Sequence, residues 1–138
     1  MLRTTLTLSL MLLVMGLTAC ASPAPPPPAT QLGDRVTLNI GQTASYEGDL
    51  KVKFLDVTED SRCPQNVTCI WAGQVSCSLE VTTAGKTEGV TLTQPGLTDA
   101  AAGRPVGAYT FRFDVEPYPE AGKQIEKTDY RLLLTVTR

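Results

Sequence analysis

The chain contains no histidine, and its methionines, Met1, Met11 and Met15, all lie at the extreme N-terminus. These absences remove much of enzyme chemistry. Without imidazole there is no Ser-His-Asp or Cys-His nucleophile pair, no histidine general base and no zinc site of histidine type. Copper or haem held by His or Met is excluded from the body of the chain for the same reason. Basic clusters are missing too: 12 Lys and Arg stand against 14 Asp and Glu, with no basic run, whereas phosphate backbones are bound by clustered cations. Nucleic acid is not an expected partner. No Gly-rich phosphate loop, G-x-S-x-G or S-x-x-K occurs beyond the N-terminal segment. At 138 residues there is room for one domain, since domains run to about 100–200 residues.

What is present begins with residues 1–19, where Arg3 precedes an apolar run from Leu6 to Leu17. A bilayer span needs about 20 apolar residues, and this run is shorter and broken by Thr7 and Ser9, so it reads as the core of a secretory signal. At its end Leu17-Thr18-Ala19-Cys20 resembles the lipobox of bacterial lipoproteins, in which the cysteine is acylated and becomes the mature N-terminus. A plain secretory signal cut nearby is the alternative. An acylated Cys20 would anchor the chain, each buried methylene contributing about 0.8 kcal/mol. With Ala21 following, the resemblance implies a cell-envelope address, on the outer membrane if the source has two membranes. Residues 20–31 then form a lipidated cysteine and a Pro-rich tether, Pro25–Pro28 favouring extended polyproline II; a leader with no spacing role is the other reading. Either way the domain spans 32–138, with 11 basic and 14 acidic side chains once Arg3 is removed.

That domain reads in period two. Val36, Leu38 and Ile40 alternate with polar residues, as do Leu50, Val52 and Phe54; Val75, Cys77, Leu79 and Val81; and Val90 and Leu92. The alternation returns in Tyr109, Phe111, Phe113 and Val115 and in Tyr130, Leu132, Leu134 and Val136. No stretch carries the helical i, i+3, i+4, i+7 pattern, and turn residues such as Gly48-Asp49, Ala84-Gly85 and Pro95-Gly96 fall between the runs. The expected fold is all-β: a single antiparallel β-sandwich of immunoglobulin-like size with about seven strands, or alternatively a small β-barrel.

One strand breaks phase, because Leu55 and Val57 fall opposite to Val52 and Phe54; a bulge near Phe54-Leu55 or burial on both faces explains this. A bulge would re-aim the distinctive segment that follows, from Asp60 to Gly73. With Cys20 lipidated, three thiols remain in an exported and therefore oxidising setting, enough for one disulfide. Cys63 and Cys69 enclose five residues, including the turn formers Pro64 and Asn66, whereas Cys77 shares the core-facing phase of Val75 and Leu79. The expectation is a structural Cys63–Cys69 disulfide and a buried Cys77 thiol. Redox catalysis ordinarily uses C-x-x-C, and this spacing differs.

The segment resembles a group of uncharacterised small exported bacterial lipoproteins that share Asp-Ser-Arg-Cys-Pro, here Asp60 to Pro64, then Cys-x-Trp-Ala-Gly, here Cys69 to Gly73. The likeness extends from Gly48-Asp49 to Asp129-Tyr130 and includes Pro117-Tyr118-Pro119. It implies an exported all-β domain and carries no catalytic residue across. Cys77 departs from that pattern, where an aliphatic residue is expected.

Asp60, Arg62 and Trp71 are the candidate recognition loop: a charged pair and the only Trp beside a rigidifying disulfide, with Trp and Arg the side chains that dominate interfaces. The plain reading has Trp71 packed on the disulfide at the start of a strand, and Asp60 and Arg62 capping the loop. Asp56, Glu59, Asp60 and Asn66 offer oxygen ligands but lack the spacing of a calcium loop, so no metal and no cofactor is assigned. Asn66-Val67-Thr68 matches a glycosylation acceptor by letter only. For carboxylate catalysis Asp114 with Glu116 and Glu59 with Asp60 are available, neither in a motif, and adjacent strand positions face opposite ways; no catalytic residue is assigned. The expected function is a membrane-anchored, monomeric binding module with an envelope protein or glycan as partner; a structural envelope protein without a discrete ligand is the alternative. A groove rimmed by Trp71, Tyr118 and Tyr46 would mark the first.

Overall fold

The computed structural model describes residues 29–96 and 103–138. The signal, Cys20 and the Pro-rich tether up to Pro28 lie outside the described residues. Eight strands follow in chain order: β1 (Arg35–Asn39), β2 (Thr43–Ser45), β3 (Lys51–Asp60), β4 (Gln74–Thr83), β5 (Lys86–Pro95), β6 (Arg104–Val106), β7 (Tyr109–Glu116) and β8 (Arg131–Thr137), with one 3-10 turn at Lys127–Asp129. They form two four-stranded sheets, ordered β1-β8-β7-β6 and β2-β3-β4-β5, with all ladder pairs antiparallel. Apart from β1–β8, neighbours in each sheet are neighbours in sequence, and the chain crosses between the layers twice, after β1 and after β5. The layers share one core without a ladder joining them into a closed barrel, which makes the fold a sandwich.

Inward side chains come from the alternating runs of the sequence: Leu79 and Val81 on β4 face Phe111 and Phe113 of β7 and Leu132 and Leu134 of β8 in one buried cluster. Phe54 and Phe111 are fully buried, and truncating such a side chain costs about 3–5 kcal/mol. The strands beyond the runs in the sequence are β2 and β6. Each has three residues and buries one, Ala44 and Val106, and three residues are too few to display a period. The turn between β4 and β5 consists of Ala84 and Gly85, both at positive φ, which matches the twist of the flanking strands. Thr30 N–H donates to Ser45 O, so paired backbone begins ahead of Leu32.

The irregular strand is β3. Its partner β4 keeps strict period two, burying Val75, Cys77, Leu79 and Val81. Opposite them on β3 stand Asp60, Val57, Phe54 and Val52, so three residues separate 54 from 57 and 57 from 60 where a regular strand has two. Two bulges account for this, between Phe54 and Asp56 and between Val57 and Glu59. The first is the bulge that the phase break predicts: beyond it Val57 returns to the core, while Leu55 is left half-exposed. The second bulge has the larger consequence, because it rotates a carboxylate, Asp60, into the core-facing phase.

Candidate functional site

Beyond Asp60 the β3–β4 connection continues as a narrow ribbon: Ser61 N–H donates to Gln74 O, and Cys63 N–H donates to Ala72 O. The return strand approaches so closely that a Cβ on Gly73 would lie 1.8 Å from Ser61 O, and Gly73 has φ +70°, a backbone conformation open to glycine. Between these limits Cys63 and Cys69 are joined by a disulfide, as the sequence predicts. The sulfurs close the tip into a ring with Asn66 at positive φ.

The ribbon is fixed to the opposite sheet by Arg62. Its guanidinium donates from Nε to Asp60 Oδ1 at 2.8 Å and from Nη2 to Asp60 Oδ2 at 2.6 Å. Nη1 donates to Val115 O at 2.6 Å and Nη2 to Pro117 O at 3.0 Å, which ties β3 to the end of β7. The side chains of Arg62 and Asp60 are only 5% and 7% exposed, and the guanidinium also lies 4.8 Å from the centre of the Tyr118 ring. Tyr130 completes the cluster by donating its hydroxyl to Asp60 Oδ2 at 3.2 Å. Burial, then the Asp60 carboxylate, push the Tyr130 hydroxyl up to about 12. A buried ion pair of this kind costs about 3–5 kcal/mol when one partner is removed, because the survivor is left uncompensated.

These positions correct two expectations. Arg62 and Asp60 are not presented for recognition; they are an interior clamp, since the β3 bulges turn Asp60 inward and Arg62 follows it. Trp71 is not buried and does not begin a strand: it is 63% exposed, and β4 starts at Gln74. Beside it Ile70 is fully exposed and Val67 is 47% exposed, so the three most exposed large apolar side chains among the described residues share this one loop.

The loop overhangs a groove of about 880 Å³, lined on its far side by Arg35 of β1, Asp114 and Glu116 of β7 and Leu133 of β8. Trp71 and Tyr118 line it too, whereas Tyr46 is buried elsewhere in the core and contributes nothing to its rim. Asp114 and Glu116 are two apart on β7 and share its outer face, so they act on one space. Asp114 pairs with Arg35 at 3.7 Å and accepts a hydrogen bond from Gln94 at 3.4 Å. The Tyr118 hydroxyl is buried without a hydrogen-bond partner among the described residues. Nothing in the sequence links Arg35, Asp114 and Tyr118, which meet because β1, β8 and β7 lie side by side in one sheet and Tyr118 follows β7. The one available signal was Pro117-Tyr118-Pro119: it docks on the disulfide ring through Gln65 N–H donating to Pro119 O at 2.9 Å.

The oxygen ligands considered for calcium are drawn apart. Asp56 pairs with Lys127, Glu59 accepts from Ser61 and Gln74, and Asp60 faces Arg62. Among the described residues no cluster of three or more His, Cys, Asp or Glu is placed to hold a metal. Cys77 is free and buried, as its phase predicts, and burial pushes its thiol up to about 12, which leaves a negligible thiolate fraction near neutral pH. Compared with protein-family models, with curated proteins and with solved structures, the chain gave no match.

Proposed function

We propose that this protein is an envelope lipoprotein, acylated at Cys20, whose domain is an interaction module that recognises a partner with the Cys63–Cys69 loop and the groove beneath it. One observation carries the reading. The most exposed apolar side chains of the described residues, Val67, Ile70 and Trp71, stand on the loop most heavily restrained, by a disulfide and by the Arg62–Asp60 clamp. A core-forming role does not require exposed Trp and Ile, and rigid aromatic surfaces beside a groove lose little entropy on binding. Arg35, Asp114 and Glu116 supply polar groups that orient what enters. In this reading Asp114 and Glu116 bind and perform no chemical step.

The test places a photo-crosslinking residue at Trp71 or Glu116 in the full chain in a bacterial envelope, with Lys86, at the far end of the sandwich, as control. The expected result is a discrete crosslinked protein or glycan product at one or both site positions and none at Lys86. Equal labelling at all three positions would sink the recognition reading and leave a structural envelope protein. The anchor has a separate test: Cys20→Ala should abolish acylation and shift the protein to the aqueous phase in detergent partitioning.

A further inference from the structure

We propose that the tip of the disulfide loop, formed by Val67, Ile70 and Trp71, docks into the interfacial layer of a phospholipid bilayer, the same membrane that holds the anchor. The inference rests on the anchored reading above and names a partner for the tip, leaving the groove open to another. Three observations carry it.

The first is chemical. Residues 63–73 contain no charged side chain, so immersing this tip in a lipid interface strips water from no ion. Ile70 is fully exposed, Val67 is 47% exposed and Trp71 is 63% exposed, an apolar surface with an indole, the ring that concentrates at membrane–water interfaces. The second is mechanical. The Cys63–Cys69 disulfide, the Cys63–Ala72 backbone hydrogen bond and the Arg62 clamp hold the tip in place beforehand, so docking need not order it. Because loop backbone carries unpaired polar groups, the contact is confined to the interface and does not enter the hydrocarbon.

The third is reach. The described chain enters at Thr30 beside Ser45, next to the Lys51 end of β3, and the loop leaves from the Asp60 end of the same strand. Ten strand residues span about 30 Å. From Cys20 to Ala29 there are nine peptide units, which extend to about 30–32 Å at most. An anchor at Cys20 therefore reaches back to the Asp60 end of β3, where the loop leaves, and the tip beyond it meets the same bilayer with the sandwich inclined to the membrane.

The experiment uses the chain from Cys20 onward, which retains every described residue and in which Cys20 is the one accessible thiol, Cys63 and Cys69 being bonded and Cys77 buried. Coupling Cys20 to a maleimide-headgroup lipid in phosphatidylcholine vesicles supplies the anchor whether or not the cell acylates it. Trp71, the only Trp, reports the contact directly. The expected result is a blue-shifted emission and about two-fold quenching by lipids brominated near the headgroup, insensitive to salt because the tip is neutral. Ile70→Asp should abolish both signals. Deleting residues 24–28 cuts the reach to about 14 Å and should abolish them also, with the loop untouched. Unchanged Trp71 emission on coupling overturns the proposal, as does quenching that survives Ile70→Asp or the deletion. A blue shift that appears without vesicles as protein concentration rises assigns the tip to a second copy of the chain and overturns it as well. Failure of Cys20 acylation in cells, with quenching retained on vesicles, refutes the lipoprotein reading and leaves the tip's lipid affinity standing.

Discussion

The root and the tip of the β3–β4 connection differ in almost every physical respect, although Asp60 and Trp71 are only eleven residues apart. At the root the charged pair is buried and partnered: Arg62 donates to Asp60, Val115 O and Pro117 O, and Asp60 also accepts from Tyr130. At the tip the apolar groups are the exposed ones. A domain ordinarily sorts its residues the other way, and the inversion shows how work is divided here. The charged residues hold the loop and the hydrophobic ones are presented.

That contrast is broken most directly at Arg62. Arg62→Ala removes four hydrogen bonds and strands Asp60 in the interior, and should lower stability by about 3–5 kcal/mol in urea unfolding. Arg62→Lys should recover little of it, because an ammonium cannot reproduce the bidentate contact. If Arg62→Ala unfolds with an unchanged midpoint, the root is not a clamp.

Replacing both Cys63 and Cys69 by Ser tests the ring joining root to tip. A loop this short yields about 2 kcal/mol in the chain-entropy account, so the urea midpoint should fall less than for Arg62→Ala, while Trp71 should become more mobile by fluorescence anisotropy.

Tyr130→Phe removes one hydrogen bond to Asp60 and should cost about 1 kcal/mol near neutral pH. It also alters the alkaline limb. The folded protein holds the Tyr130 proton up to about 12 against an ordinary value of 10.0, so this group adds stability below pH 10 that is lost as pH rises towards 12. Tyr46 and Cys77, raised by burial to about 12 from 10.0 and 9.0, act in the same direction. Urea midpoints for the parent chain should therefore decline above about pH 9, more gently in Tyr130→Phe.

The smallest effect belongs to the tip. Trp71→Ala should change stability by no more than about 0.5 kcal/mol, as expected for an exposed side chain, in contrast to a buried aromatic. A loss of several kcal/mol would mean that Trp71 is part of the core after all and would erase the division between root and tip.

How far each feature was legible follows from the range of the forces behind it. Alternation along β4, β7 and β8 is a local property of the pleat, and it located those strands and the burial of Cys77 without tertiary information. The phase break at Leu55 announced a bulge, but the second, near Thr58, lies among polar residues, where a shift of phase leaves no hydrophobic trace. That hidden bulge is why Asp60 and Arg62 read as surface charges.

The sequence by itself determined the class of fold, the Cys63–Cys69 pairing and the absence of histidine chemistry, since each depends on spacing or composition along the chain. Only the tertiary structure decided which members of the motif are buried. Arg62 finds two of its acceptors, Val115 O and Pro117 O, more than fifty residues away, and backbone carbonyls carry no side-chain signature. Because those acceptors satisfy the guanidinium inside the sandwich, the polar residues of the segment are drawn inward and Ile70 and Trp71 are left on the outside, an outcome that no local pattern encodes.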